Sequence, residues 1–269
     1  MRGHVAVLVA VVVLTGCAAS TDGSSPPPAA HSSSSSRVTG GPVTLLALGD
    51  SWPYGAHCNG CTPFPELYGE GLERELGRDV TLLNLVTNGG TSASLGDSLT
   101  SDPRYGEAVS RADVVMISTG ANDVEPAGQA WKAGTCGGAD ALDCFRALAD
   151  NWRTNFDAML DQVDQFRGGK PTAVRLVTNS NEFLSDPGLI EYFGPEFGLS
   201  EGAAITAMHH DALCAVAAEH DALCVDLRPV LNGPDLDQPR DVNTQEAMQA
   251  VADALVATGL PELADAATG

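Results

Sequence analysis

Two short motifs contain the residues of this chain that could do chemistry, Gly49-Asp50-Ser51 and Gly120-Ala121-Asn122-Asp123. Each follows an apolar run that is typical of a buried strand, and each begins with a glycine where the chain must turn tightly. Ligands of open α/β sheets bind at such strand ends. A serine in this position could attack a carbonyl carbon, and an asparagine amide could donate to the oxygen that becomes negative. The sequence therefore predicts Ser51 as a nucleophile at a sheet edge.

Alternating strands and helices must position these motifs. Apolar runs and helical periodicity predict strands over 43–48, 80–86, 113–119, 173–179 and 222–227, and helices over 64–76, 145–166, 202–219 and 244–257. Such alternation predicts a parallel sheet with helices on both faces. The segments 124–144 and 180–201 are predicted to be long loops that wall a pocket. Aromatic residues in the second of these loops would suit an acyl chain or a sugar ring.

The N-terminus has the pattern of a targeting segment. Arg2 precedes the apolar stretch Val5–Leu14, which is too short to span a bilayer but suits a signal-peptide core. The stretch ends in Leu14-Thr15-Gly16-Cys17, which resembles the lipobox of bacterial lipoproteins. We expect a signal peptide over 1–16, a lipid on Cys17 and a Ser/Pro-rich tether up to residue 41. An ordinary secretory cleavage site and an uncleaved anchor are the alternatives.

The export signal predicts an exported protein held at the outer face of the bacterial cell membrane through its lipid alone. Residues 42–260 are long enough for one α/β domain, and residues 261–269 are predicted to be a tail. The formal net charge of −21 excludes nucleic acid as a partner, because phosphate backbones are bound by basic patches. We expect a monomer with an acidic, solvated surface.

Six cysteines follow Cys17, which is the even number expected of disulfides in an oxidising compartment. The predicted pairs are local in sequence: Cys58–Cys61, Cys136–Cys144 and Cys214–Cys224. A redox or metal site at Cys58-Asn59-Gly60-Cys61 is the alternative. Zinc sites of this kind need a second close pair of ligands, which the sequence lacks. We therefore expect no metal and no cofactor.

Three motifs in order resemble the first three conserved blocks of the SGNH (GDSL) hydrolase family. They are Gly49-Asp50-Ser51, the segment from Asn84 through Asn88-Gly89-Gly90-Thr91, and Gly120-Ala121-Asn122-Asp123. The resemblance extends over about residues 42–260. It is strongest to secreted actinobacterial members, which share the cysteine-rich loop after the serine and the run Leu231-Asn232-Gly233-Pro234-Asp235.

The resemblance implies a three-layer α/β/α fold with a parallel, flavodoxin-like, five-stranded sheet. It also implies an esterase or lipase-like activity with Ser51 as nucleophile. The oxyanion donors would be the backbone N–H groups of Ser51 and Gly89 and the side-chain amide of Asn122. The substrate would be a small ester, an acyl compound or a glycan, and no cofactor is implied.

The last block of the family is where this sequence departs from the pattern. Members carry Asp-x-x-His just before the final helix, and the alignment places Pro239 and Val242 in those two positions. No histidine follows His220. Asp241 and His57 are the candidate substitutes for the missing base, although a carboxylate of ordinary pKa, about 3.9, is poorly matched to serine.

Three interpretations of this departure stay open. The chain could be an esterase with an unorthodox base, because the nucleophile and the three oxyanion donors remain. It could instead be a catalytically impaired protein that binds an ester, a glycan or an acyl chain. A structural or partner-binding lipoprotein on the same scaffold is the third interpretation.

Overall fold

The computed structural model describes residues 41–264. The predicted signal peptide, Cys17 and the tether up to residue 40 lie outside the described residues. Five strands form one parallel sheet in the order β2-β1-β3-β4-β5. Their bounds are β1 Val43–Gly49, β2 Val80–Asn84, β3 Val114–Ser118, β4 Ala173–Val177 and β5 Leu223–Val225. The predicted five-stranded α/β fold is confirmed.

Eleven helices are described between residues 41 and 264. They are α1 Ser51–Tyr54, α2 Phe64–Leu76, α3 Ser92–Ser101, α4 Pro103–Arg111, α5 Val124–Lys132, α6 Asp143–Arg167, α7 Pro187–Phe193, α8 Glu201–Glu219, α9 Arg228–Asn232, α10 Gln245–Ala257 and α11 Pro261–Ala264. The four helices predicted from periodicity correspond to α2, α6, α8 and α10. Among these residues, no helix combines the length and the apolar content needed to cross a membrane.

Helices also occupy the two segments that were predicted to be loops. Helix α5 lies in 124–144 and helix α7 in 180–201. Helix α7 is set by local capping, because the Asp186 carboxylate accepts from the Leu189 N–H at 2.8 Å and Pro187 stands in the first turn. A seven-residue helix of this kind has too few turns to show an apolar period.

Side chains alternate between the two faces of the sheet and so build two apolar clusters. Leu46 and Leu48 of β1 pack on one side with α6 and α8, whereas Leu45 and Ala47 pack on the other side with α2 and α10. The apolar face predicted for α6 is buried in the first cluster: Leu148, Trp152, Phe156, Met159, Leu160 and Val163. The central strands are thus covered on both faces, which explains their continuous apolar sequence.

A buried arginine ties the C-terminal helix to the sheet. The Arg175 side chain in β4 is fully buried, and its guanidinium donates to the two Glu262 carboxylate oxygens at 2.7 and 3.1 Å. It also donates to Thr258 Oγ1 at 2.9 Å and to the Gly259 carbonyl at 2.7 Å. The packed domain therefore continues through α11, past residue 260 where the sequence predicted a tail to begin.

The structure pairs the six cysteines as the sequence predicted. The Cα–Cα separations are 5.5 Å for Cys58–Cys61, 4.8 Å for Cys136–Cys144 and 5.0 Å for Cys214–Cys224. These separations lie in the range that disulfides adopt. Two of the disulfides lie next to loops at the sheet edge: Cys136–Cys144 at the start of α6 and Cys214–Cys224 at β5.

His220, at the end of α8, is held by two carboxylates of α6. Its Nε2 lies 2.9 Å from Asp157 Oδ1 and its Nδ1 lies 3.2 Å from Asp164 Oδ2. Burial by itself would lower the pKa of His220, but the two hydrogen-bonded carboxylates outweigh that effect and raise the pKa above 6.5. The stability that the protein gains from these two His220 pairs is therefore fully present below pH 6.5, and it is lost as the pH rises through the folded-state pKa of His220.

We expect His220→Gln to destabilise the protein more at about pH 5.5 than at about pH 8.5, measured as the free energy of unfolding in urea. The reason is that only protonated His220 forms charged pairs with both carboxylates. A background with Asp157→Asn and Asp164→Asn should abolish this pH difference. Equal destabilisation by His220→Gln at the two pH values would contradict the assignment.

Candidate active site

The loops that follow β1, β2 and β3 meet at one edge of the sheet. The Asp50 N–H donates to the Ser118 carbonyl at 3.1 Å, which joins the first loop to the third strand. The Thr87 N–H donates to the Gly49 carbonyl at 2.9 Å, which joins the second loop to the first. The structure thus brings the three motifs of the sequence together at the carboxyl ends of the strands.

Ser51 is the first residue of the short helix α1. The Asp50 carboxylate caps this helix by accepting from the Trp52 N–H at 3.2 Å. Gly49 precedes it because β1 and β3 approach closely there, and a Cβ at this position would overlap the Ser118 carbonyl oxygen. These two constraints fix a sharp turn on which Ser51 is half-buried at the sheet edge.

Three N–H groups around this turn could stabilise an oxyanion. The Asn122 side-chain amide donates one hydrogen to the Gly90 carbonyl at 2.7 Å and keeps its second hydrogen for another acceptor. Gly89, with φ +78°, adopts a left-handed turn that suits glycine. Within residues 41–264, the backbone N–H groups of Ser51 and Gly89 have no hydrogen-bond acceptor. Such donors are what a developing negative oxygen requires.

Asp123 anchors the loop that carries Asn122. Its carboxylate accepts from the Ser92 N–H at 3.1 Å and from Trp152 Nε1 at 3.0 Å. Burial raises the pKa of Asp123, while the hydrogen bonds from Ser92 and Trp152 oppose that shift. The loop is therefore fastened to the start of α3 and to the core helix α6. The sequence gives no sign of this role of Asp123, because its partners come from distant parts of the chain.

The segment expected to carry the family's histidine lies next to the Ser51 turn. Trp52 Nε1 donates to the Val242 carbonyl at 3.3 Å, and the Val242 side chain is buried in the same apolar cluster as Trp52. Asp241 is exposed, and its carboxylate accepts from the Asn243 N–H at 2.9 Å. His57 is also exposed. The structure thus places Val242 beside the turn and the two candidate bases at the surface, with no hydrogen bond to Ser51 from either.

A cleft of about 350 Å³ opens beside Asn122. Most of its wall comes from α5 and α7: Ala121, Asn122, Val124, Glu125, Gly128, Gln129, Leu189, Tyr192 and Phe193. Phe193 stacks on Phe197 with ring centroids 4.3 Å apart, so the outer wall is braced by a second aromatic ring. Of the aromatic residues predicted to wall a pocket, Tyr192 and Phe193 line this cleft. They lie on helix α7 rather than in an irregular loop.

A smaller recess of about 70 Å³ shares Ala121, Val124 and Leu189 with this cleft and extends toward α8. Its polar wall includes Ser180, Glu182 and His209. His209 lies inside a helix predicted from the sequence, where a surface or helix-terminal role was the expectation, but the structure buries it. Glu182 belongs to no motif of the sequence. The position of Glu182 after β4, at the binding edge of the sheet, was the one signal available for it.

Besides Asp123, three titratable groups of this region have shifted pKa values. Burial raises the pKa of Asp50 to about 6, against the opposing effect of N–H groups that include Trp52. Burial also raises the pKa of Glu182 to about 7, and the negative charges of Asp50 and Asp186 add to the shift. Burial lowers the pKa of His209 to about 4, so this imidazole is neutral at physiological pH. Burial thus favours the protonated form of both carboxyl groups.

Comparison with known proteins identifies the family of the fold. Residues 47–246 match the family model of the GDSL-like lipase/acylhydrolases. Among solved structures, the fold is similar to the lipase Lip_vut3 from a goat rumen metagenome, with a TM-score of 0.65 and 20% identity over 81% of this chain and 98% of that chain.

Two further structures are similar. The enzyme LAE5, from the metagenome of Lake Arreo in Spain, has a TM-score of 0.53 and 17% identity over 81% of this chain and 94% of that chain. The lipase/acylhydrolase from Enterococcus faecalis has a TM-score of 0.51 and 17% identity over 80% and 94%. At these identities the likeness shows the fold. No curated protein sequence matches the chain.

Proposed function

Because this chain belongs to the GDSL-like lipase/acylhydrolase family, we propose that it hydrolyses carboxylic esters with Ser51 as the nucleophile. The observation that supports this most is the set of N–H donors around the Ser51 turn. The Asn122 amide is held by the Gly90 carbonyl at 2.7 Å with one hydrogen to spare, and the Ser51 and Gly89 N–H groups lack acceptors within residues 41–264. These N–H groups are donors of the kind that stabilise the negative oxygen formed in ester hydrolysis.

The proposed reaction proceeds through an acyl-enzyme. Ser51 Oγ attacks the ester carbonyl carbon, and the carbonyl oxygen becomes negative within reach of the three N–H donors. Collapse of this intermediate expels the alcohol and leaves the acyl group on Ser51. A water molecule then attacks the acyl-enzyme by the same route and releases the acid.

The cleft supports a small ester or an acyl compound as substrate. Its walls are mainly apolar, with Leu189, Tyr192 and Phe193 opposite Val124. An acyl chain would bury its methylene groups there, at about 0.8 kcal/mol for each. A glycan ester is the alternative, because Tyr192 and Phe193 could stack on a sugar ring. We further propose that the domain acts outside the cell as a monomer, held to the membrane by the lipid on Cys17.

The test combines covalent labelling with turnover on the full chain. We expect a fluorophosphonate probe to label the wild-type protein and an aryl acetate to be hydrolysed. Ser51→Ala should abolish both, because it removes the proposed nucleophile. Ser101→Ala, which removes an exposed hydroxyl at the end of α3, is the matched control and should behave as the wild type. Labelling that persists in Ser51→Ala would refute the assignment of the nucleophile.

Ligand binding without turnover is the second candidate function. It is favoured by the buried, apolar Val242 at the position where the family carries its histidine. In that case the wild-type protein would neither react with the probe nor release alcohol. It would still bind an uncleaved ester analogue, and tryptophan fluorescence would report the binding through Trp131 or Trp152 near the cleft.

A further inference from the structure

The cleft beside Asn122 ends at the side chain of Phe193, and this side chain also lines a second cavity. We infer that Phe193 determines specificity, because it sets the length of the acyl chain that the site can bury. The inference narrows the substrate class of the ester hydrolysis proposed above to esters of short and medium acyl chains, and it rests on that proposal.

Phe193 separates two cavities of similar volume. The first is the cleft of about 350 Å³, which contains Asn122 in its wall. The second, also of about 350 Å³, lies between α5 and the segment that follows α7, and its wall includes Trp131 and Phe197. Phe193 lines both cavities. Its ring therefore forms the partition between them.

The ring of Phe193 is packed on several sides. Its tip lies against the backbone of α5 at Gly128, where a Cβ would come within 2.8 Å of Phe193 Cζ. One face stacks on Phe197 with ring centroids 4.3 Å apart, and Phe183 makes an edge contact with a centroid distance of 5.4 Å. Gly128 thus permits the close approach that closes the end of the cleft. A ring packed in this way resists displacement by a flexible chain.

The surface between Asn122 and Phe193 suits an uncharged alkyl chain. Leu189 and Phe193 supply apolar wall, and the polar residues Glu125 and Gln129 are exposed to solvent. Gln129 Nε2 donates to Glu125 Oε1 at 3.1 Å, so these two side chains satisfy each other at the mouth of the cleft. The negative charge of Glu125 disfavours an anionic ligand there and leaves a neutral ester unaffected.

The Asn122 amide determines where the chain begins. A substrate whose carbonyl oxygen accepts from this amide has its carbonyl carbon at the Asn122 end of the cleft. The acyl chain then extends along the apolar wall toward Phe193. Because a cavity of about 150 Å³ accommodates benzene, the cleft of about 350 Å³ takes on the order of a dozen carbon atoms at most. Methylene groups beyond that number meet the ring of Phe193 and gain no burial.

The experiment measures kcat/KM on the full chain for aryl esters of increasing acyl length. With the wild-type protein, kcat/KM should rise by up to about fourfold for each methylene group that enters the cleft and should stop rising at a defined length. Phe193→Ala joins the two cavities, so the rise should continue to longer chains by up to about fourfold for each further methylene group.

Tyr192→Ala is the matched control, because it removes a neighbouring aromatic ring of α7. Within the described residues, Tyr192 lines the cleft but not the second cavity. This variant should lower kcat/KM by a similar factor for all chain lengths and keep the length limit. A limit that moves equally in Tyr192→Ala and Phe193→Ala would mean that α7 has loosened, which contradicts the inference. If Phe193→Ala does not fold, Phe193→Leu keeps an apolar side chain and should still move the limit, by a smaller amount.

Binding of methyl ketones of increasing chain length separates this inference from the hydrolase function. A ketone has the carbonyl group of the substrate but no leaving group, so calorimetry measures its binding whether or not esters are hydrolysed. The affinity should rise by up to about fourfold for each methylene group up to the same limit, and Phe193→Ala should again extend the rise.

The results distinguish the possible failures. If neither Phe193 variant moves the limit in the esters or the ketones, Phe193 is not the boundary, and the hydrolase assignment stands. If the variants move the limit for alkyl acetates, whose variable chain is in the alcohol, and not for the acyl series, the cleft holds the leaving group and the inference is wrong. If the wild-type protein hydrolyses no ester but the ketone limit moves with Phe193, the hydrolase function fails while Phe193 remains the boundary of the ligand site.

Discussion

Replacing Asn122 with alanine should lower kcat for ester hydrolysis by about 10²–10³-fold, the loss typical of removing one oxyanion donor. Its amide has one hydrogen on the Gly90 carbonyl at 2.7 Å and one left for the substrate. The substrate oxygen gains most of its negative charge only in the transition state. We therefore expect kcat to fall while KM changes little, which steady-state kinetics on a soluble aryl ester would measure.

The matched control for Asn122→Ala is Asn155→Ala. Asn155 has the same amide group and donates to Ser92 Oγ at 2.8 Å, close to the Asp123 anchor, but it is absent from the wall of the cleft. It should leave kcat near the wild-type value. If the two variants lose activity equally, the loss reflects a loosened loop rather than a missing oxyanion donor.

Glu262→Ala should destabilise the protein by about 3–5 kcal/mol, because it leaves the buried guanidinium of Arg175 without its counter-ion. Arg175 has no exposed side-chain surface, and its two bonds to Glu262 are 2.7 and 3.1 Å long. Its remaining partners, which include the Gly259 carbonyl, are neutral. Urea unfolding at neutral pH, analysed for the free energy of unfolding, would measure this loss.

An exposed ion pair of the same length provides the control. Arg240 and Glu246 are 2.7 Å apart, but the Glu246 side chain is 84% exposed. Glu246→Ala should therefore cost no more than about 1 kcal/mol. Similar losses for Glu246→Ala and Glu262→Ala would contradict the importance of burial.

The Glu262 pair also has a defined pH dependence. Burial by itself would raise the pKa of Glu262, but the hydrogen bonds and the charge of Arg175 outweigh it and hold the pKa below 4.5. The contribution of the pair is present above pH 4.5 and is lost as the pH falls through the folded-state pKa. The difference in stability between wild type and Glu262→Ala should shrink over that range.

The elements that the sequence predicted well are those whose burial leaves a continuous or periodic pattern. β1 was predicted over 43–48 and spans Val43–Gly49, because both its faces pack against helices and every residue is apolar or glycine except Thr44. Helix α2 has the predicted bounds because Pro63 and Gly77 delimit it. Ser51 could be selected because it follows a strand of a parallel sheet. Gly89 and Asn122 were selected through the resemblance to the family's motifs, and the roles of all three stay predictions.

Features set by tertiary contact could not be predicted in this way. Nothing around Glu182 in the sequence indicates that the fold buries its carboxyl group, and that burial is the main cause of its raised pKa, to which the charge of Asp50 adds. The anchoring of Asp123 depends on Ser92 and Trp152, which lie in two separate helices. The cleft wall formed by α7 depends on a helix too short to show a period.

The hydrogen bond from the Trp52 indole to residue 242 has an evolutionary consequence. Trp52 contacts the main-chain carbonyl of Val242, which every amino acid possesses. This bond does not depend on the side chain at position 242, so it would survive a substitution there. A lineage that exchanged this residue would keep the hydrogen bond to Trp52 and lose only the apolar packing of the Val242 side chain.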